Sequence, residues 1–293
     1  MPNCDLFGRK MNQSKIRKLF NLIRMRFGKK SRICLLAIVI AIALFGGLFF
    51  HEEVPVVAAQ SAVGKLNTMA AAENGQKVLV FSPHPDDESI AAGGFIAQSI
   101  INGANVTIVL VTDGNAQHEE AVRYNEFEKA TGILSVPEAN LIFLGFPDGK
   151  LVTENQTVLQ AALQMQIDNY SPDIVVYPNP HDYNPDHRAV GQTIERILKT
   201  ESRHITAYEY LVHYELIYPR PREFVPADNL LPPKRLAKVG TEWLRFNLSA
   251  SVENCKEKAI FTYQSQLHSP ELDGLMHSFI RKNELFSVPK LNN

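Results

Sequence analysis

Apolar positions follow two patterns along this chain. The first is unbroken: Ile33 to Phe50 reads ICLLAIVIAIALFGGLFF, eighteen residues without a charge, closed by His51, Glu52 and Glu53. The second begins near Gln76, where short apolar runs alternate with stretches of helical period. KVLVFS (77–82), NVTIVLVT (105–112), NLIFLG (140–145) and DIVVYP (173–178) read as buried strands. Residues 89–101, 118–130 and 156–170 read as helices, and a helix over 187–199 would place Val190, Ile194, Ile197 and Leu198 on one face. Beyond it, ITAYEYLVHYEL (205–216) reads as a strand and the Pro-rich stretch 218–233 as a long surface loop. EWLRFNLS then reads as a strand and VENCKEKAIFTYQSQL as a helix packing back on the domain. Continuous apolar strands separated by helices predict an α/β fold, Rossmann-like, with a mostly parallel sheet and helices on both faces. Ligands of such sheets sit beyond the carboxyl ends of the strands. The loops after Ser82, Thr112, Leu144 and Pro178 should therefore meet in one crevice.

Charge divides the chain unevenly. The first 32 residues hold ten Lys or Arg against one acid, Asp5, which leaves 20 basic and 30 acidic groups for the rest. An acidic main domain argues against nucleic acid as its partner, since phosphate binding needs clustered cations. The cationic stretch instead reads as the cytoplasmic flank of a membrane-spanning helix, because eighteen apolar residues can cross a hydrocarbon core. The expected order is a basic tail (1–32), a transmembrane signal anchor (33–50), a linker (51–75) and one catalytic domain (76–293). A cleaved signal peptide is the alternative, with VVAAQSA as its cleavage region. The apolar run exceeds the roughly 7–15 residues of a signal core, which favours the anchor. Either way the domain is expected on the extracytoplasmic side of the inner, or cytoplasmic, membrane. Cys4, Cys34 and Cys255 show no metal-ligand spacing.

The candidate chemistry lies after two of the strands. In SPHPDDE (82–88), His84 and Asp87 stand three apart on a Pro-containing turn and can aim at one point, while Asp86 projects elsewhere. Carboxylates and an imidazole crowded at a strand end are costly to bury without a cation. HDYNPDH (181–187) offers His187 at a helix start, with Asp186, Asn184, Asp182 and His181 nearby. Two nitrogens and one carboxylate leave a fourth position for water, the pattern of a catalytic zinc site. Asp86 is then the candidate base.

PHPDDE after a first strand, together with NPDHRAVG, resembles the PIG-L or LmbE-like family of zinc-dependent N-acetylglucosamine deacetylases over about residues 77–268. The resemblance implies that His84, Asp87 and His187 bind zinc (Zn2+) and that Asp86 takes a proton from the metal's water. It implies a Rossmann-like fold as well. RYNE (123–126) resembles the family's Arg-x-x-Glu and FLGFPDG (143–149) its Gly-x-x-Asp loop, which makes Arg123 and Asp148 substrate-binding candidates. Many members carry His-Pro-Asp-His where this chain has Asn184-Pro185-Asp186-His187. Asn184 and Asp186 join Asp86 as catalytic candidates. Asn184 can donate to an oxyanion but cannot supply the proton expected of that histidine, a task left to His181 or Asp86.

The expected function is a metal-dependent hydrolase that removes acetyl from an N-acetylglucosamine-type conjugate. Zinc is the expected cofactor, and Fe2+ an alternative that similar ligands accept. A glycan-binding or scaffold protein with a degenerate site is the competing reading. A glycosyltransferase would leave His84 and His187 unused and lacks a Gly-rich phosphate turn after the first strand. Nothing in the residues names the acetylated substrate or the oligomeric state.

Overall fold

In the computed structural model, residues 60, 63–215, 218–238 and 240–291 are described. The expected tail and transmembrane segment lie outside them. Among the described residues no helix is long and apolar enough to cross a membrane.

Among the described residues eight strands form one sheet: β1 (Asn67–Thr68), β2 (Lys77–Ser82), β3 (Asn105–Thr112), β4 (Leu141–Phe146), β5 (Ile174–Pro178), β6 (Thr206–Tyr210), β7 (Trp243–Asn247) and β8 (Asn283–Ser287). Their order is β1-β7-β8-β6-β5-β2-β3-β4. All neighbours pair parallel except β8, which runs antiparallel to both β6 and β7. Helices α1 (Asp87–Ile101), α2 (Glu120–Ile133), α3 (Gln156–Tyr170), α4 (Pro185–Thr200), α5 (Lys234–Lys238), α6 (Ala250–Ile260), α7 (Gln264–Leu267) and α8 (Pro270–His277) occupy the intervals.

Alternation along the strands divides the core in two. On β2, Val78 and Val80 face the cluster that includes Ile90 and Phe95 of α1, Val252 of α6 and Met276 of α8. Leu79 and Phe81 face the opposite cluster, with Leu159, Leu163 and Ile167 of α3 and Val190 and Ile194 of α4. Both faces of β2 are therefore apolar, which is why its sequence shows no alternation. The chain passes outward from β2 to β3 and β4, then returns to β5 on the other side of β2. A ligand crevice opens at this reversal. The loops that carry the two candidate motifs flank it.

Four expectations need correction. The domain begins before Gln76: Asn67 and Thr68 pair with Leu244 and Arg245, and Met69 and Ala72 are buried. The strand expected over 205–216 ends at Tyr210, because the backbone amides of Val212 and His213 turn to the Asp182 carboxylate, 3.0 Å away in each case. The stretch 218–233 is irregular as expected, yet it buries Tyr218, Leu230 and Leu231 rather than only wrapping the surface. The helix expected to continue to Leu267 stops at Ile260 and resumes at Gln264. The interruption places Tyr263, whose hydroxyl donates to buried Glu88.

Candidate metal centre

The loop after β2 is held by buried polar groups. Ser82 Oγ donates to the His84 carbonyl at 2.8 Å and receives the Glu88 amide at 3.2 Å. Glu88 Oε2 receives the Asp86 amide at 3.2 Å, and Oε1 takes the hydroxyls of Ser89 and Tyr263. Asp86 is forced to φ 130°, an uncommon angle for a residue with a side chain. Such strain persists only where surrounding contacts over-determine it.

The loop after β5 is shaped by Asn184, whose Oδ1 accepts from the amides of Asp186 (2.8 Å) and His187 (3.4 Å) and so caps α4 ahead of Pro185. Gly191 lets this helix press against its strand, since a Cβ there would meet the Pro178 carbonyl at 2.3 Å.

Three ligand-type atoms converge between these loops. His84 Nδ1 lies 3.3 Å from Asp87 Oδ2 and 3.2 Å from His187 Nε2, and the latter two are 3.0 Å apart. Ligands held at about 2.0–2.1 Å from one tetrahedral centre are roughly 3.3–3.4 Å from each other, so the triplet fits a zinc-sized ion. The outer nitrogens face carboxylates: His84 Nε2 is 3.2 Å from Asp148 and 3.4 Å from Asp186. His187 Nδ1 is 3.3 Å from Asp182, at an angle that forms no hydrogen bond. A carboxylate behind a ligating imidazole fixes which nitrogen faces the metal. His84, Asp148 and Asp186 are also close enough to hold an ion. There, however, the Arg123 guanidinium already brings positive charge to Asp148 at 3.3 Å.

The charges around the triplet also call for a cation. Asp87, Glu88, Asp182 and Asp186 are buried, and Asp86 and Asp148 nearly so. Burial lowers the His187 imidazole, but Asp87 and Asp182 overcome it and raise it to about 9. Burial likewise opposes His84, which Asp148, Asp186 and Asp87 nevertheless raise well above the ordinary range. Burial would raise Asp87, yet the His187 and His84 imidazoles hold it well below the usual carboxylate range.

Asp86 differs from its neighbour. Burial pushes its carboxyl up to about 8 against the pull of Arg123, with Asp87 adding to the rise. Arg123 is buried and binds the Pro85 and Gly114 carbonyls at 2.8 and 3.2 Å as well as Asp86 and Asp148 at 3.3 Å each. It links three loops of the crevice. Asp186 accepts the amides of Gly149 (2.7 Å) and Leu151 (3.0 Å), and so positions the loop that carries Asp148.

The structure thus brings His84, Asp86, Asp87, Arg123, Asp148, Asp186 and His187 together. Asn184 joins them through the helix cap. His181 is exposed and lines a separate cavity behind the loop. Sequence reasoning did not single out His213, whose ring lies 5.0 Å from that of His187. Burial, with His187 nearby, pushes its imidazole down to about 4. Its lone position after an apolar strand carried no motif.

Residues 79–198 match the family model described as PIG-L, GlcNAc-PI de-N-acetylase. A probable N-acetyl-alpha-D-glucosaminyl L-malate deacetylase 2 of Bacillus anthracis is 30% identical over 152 residues, 46% of this chain and 66% of that protein. A diacetylchitobiose deacetylase of Thermococcus kodakarensis is 31% identical over 128 residues, 40% of this chain and 46% of that protein. The chain thus spans under two thirds of the length of either. The solved structure of an N,N'-diacetylchitobiose deacetylase from Pyrococcus horikoshii has the same fold, with TM-score 0.56 and 18% identity over 82% of this chain and 93% of that one. The stretch similar to the PIG-L family contains both loops of the candidate metal centre.

Proposed function

We propose that this chain is a zinc-dependent hydrolase that removes the acetyl group from an N-acetylglucosamine-type conjugate. The observation that carries the proposal is the convergence of His84 Nδ1, Asp87 Oδ2 and His187 Nε2 within 3.0–3.3 Å beside the strained, half-buried Asp86. The match to the family model and the names of the two relatives support the substrate class.

His84, Asp87 and His187 would hold the metal. When bound, it lowers the pKa of water and polarises a carbonyl. Asp86 accepts the proton released as water oxygen bonds to the acetyl carbon, and returns it to the nitrogen as the carbon–nitrogen bond breaks. Acetate and a free amine result. A carboxyl that takes up and gives back a proton near neutral pH suits both halves of that transfer. Arg123 holds Asp86 in place through its 3.3 Å contact, and Asp148 and Asp182 orient the two imidazoles from behind. With Asn184 Oδ1 occupied by the cap, its Nδ2 is the group left to donate to an oxyanion.

The apolar run 33–50 and its ten preceding cations support placing the domain outside the cytoplasmic membrane, where an envelope glycan or glycolipid would be its substrate. The test is acetate release from a panel of N-acetylglucosamine conjugates by the full chain with zinc, with chelator, and as His187→Ala. Acetate that requires both metal and His187 supports the hydrolase. Stoichiometric metal with no acetate from any conjugate would select a glycan-binding protein, the reading that Asn184 in place of a histidine favours.

A further inference from the structure

A second cavity, of about 460 Å3, lies beside α4 on the sheet face that α3 and α4 cover. Apolar burial on that face draws on β2, β3, β5 and Ala207 of β6, with no residue from β7 or β8. Past β6 the sheet is therefore not sealed by an apolar layer. The cavity occupies that gap, between Gln192 and Glu195 of α4 on one side and Val288 to Lys290 on the other.

Glu209 of β6 reaches the cavity although it is only 6% exposed. Its carboxylate accepts from Asn179 Nδ2 and Ser287 Oγ, each at 2.8 Å, and from the Tyr177 hydroxyl at 3.4 Å. All three donors are neutral. The other charged or titratable groups of the cavity are Glu195, His181 and Lys290, and among the described residues none forms an ion pair with Glu209. Burial pushes the Glu209 carboxyl up to about 7, and Glu195 adds to the rise. A buried carboxylate without a counter-charge is costly to maintain. One that borders a cavity of small-ligand size is able to pair with a cation that enters it.

The surroundings indicate which kind of cation. The His, Asp and Glu groups close enough to hold a metal ion lie elsewhere among the described residues. Around Glu209 the cavity presents amides at Asn179 and Gln192 and a hydroxyl at Thr241, partners for an organic ligand with hydroxyl groups. Asn179 and His181 also belong to the turn that carries Asp182, the carboxylate behind His187. We propose that this cavity is a second carbohydrate site, which takes an amino sugar with a free primary ammonium seated against Glu209. The choice of an amino sugar rests on the deacetylase reading, whose product has that group, while the place for a cation rests on Glu209 and the cavity alone.

Calorimetric titration of the full chain with glucosamine, N-acetylglucosamine and glucose tests this. Glucosamine is expected to bind wild type and His187→Ala alike, and Glu209→Gln to weaken it at least tenfold. Val288→Phe, which narrows the cavity from its partly exposed wall, should weaken it similarly and keeps the test decisive if Glu209→Gln does not fold. Binding that survives both cavity variants, that disappears in His187→Ala, or that is absent from wild type overturns the site. Acetate release assayed on the same samples separates the two ideas. Glu209-dependent glucosamine binding without acetate release removes the deacetylase and keeps the site, whereas acetate release with Glu209-independent binding does the reverse.

Discussion

His187 Nε2 lies 3.0 Å from Asp87 Oδ2, although one residue follows β5 and the other follows β2. Parallel pairing of those two strands, with Val78 beside Ile174 and Val80 beside Val176, brings their carboxyl ends together at the reversal of the sheet. The candidate metal centre is thus a product of strand order.

Asp86 and Asp87 are adjacent but should fail differently. Asp86→Asn is expected to retain metal and lose about 10²- to 10⁴-fold in turnover, the usual range for removing a positioned base. Asp87→Asn should instead lose metal. Metal content by elemental analysis beside the rate of acetate release separates the two, and an Asp86→Asn variant of full activity would remove Asp86 as the base.

Asp182 touches no candidate ligand atom and faces the far nitrogen of His187. Its loss should lower metal affinity about 10- to 100-fold, as for other carboxylates behind ligating imidazoles. Competition with a chromophoric chelator would measure this for Asp182→Asn. Unchanged affinity would show that the carboxylate serves only the amides of Asn184, Val212 and His213.

Asn184 caps α4, so Asn184→Ala should cost about 1 kcal/mol of stability, and Asn184→Ser, another good cap, much less. Urea unfolding of the three proteins gives the ranking. Reduced turnover in Asn184→Ser at wild-type stability would assign the amide a chemical part beyond the cap.

Glu209 makes stability depend on pH. Its carboxyl rises from an ordinary 4.5 to about 7 in the fold. A raised carboxyl favours the folded state below the unfolded value, and that advantage disappears as pH rises through the folded value. Relative to Glu209→Gln, the wild type should therefore lose at most about 3 kcal/mol between pH 4.5 and 7. Unfolding free energies of both proteins at the two ends of that window test it, and a constant difference between them would refute it.

Much of the fold is legible along the chain because its strands are local apolar runs. KVLVFS and NVTIVLVT become β2 and β3 with the expected bounds, and the periodic residues of 187–199 become the buried face of α4. Where a distant group competes for the backbone, local pattern misleads. The apolar residues after Tyr210 promise more strand, but Asp182 claims the amides of Val212 and His213. The helix of VENCKEKAIFTYQSQL is likewise broken where Tyr263 reaches Glu88.

The sequence by itself determined the α/β order, the two motif loops and the residue types able to hold a metal, because strand runs and motif spacing are properties of neighbouring residues. Only the tertiary structure decided that Arg123 is buried between Asp86 and Asp148, that Asp182 stands behind His187, and that Glu209 borders a cavity while bonded only to neutral donors. Each of those relationships joins residues from different loops or strands, and its energy depends on distance and burial, which exist only once the sheet has closed.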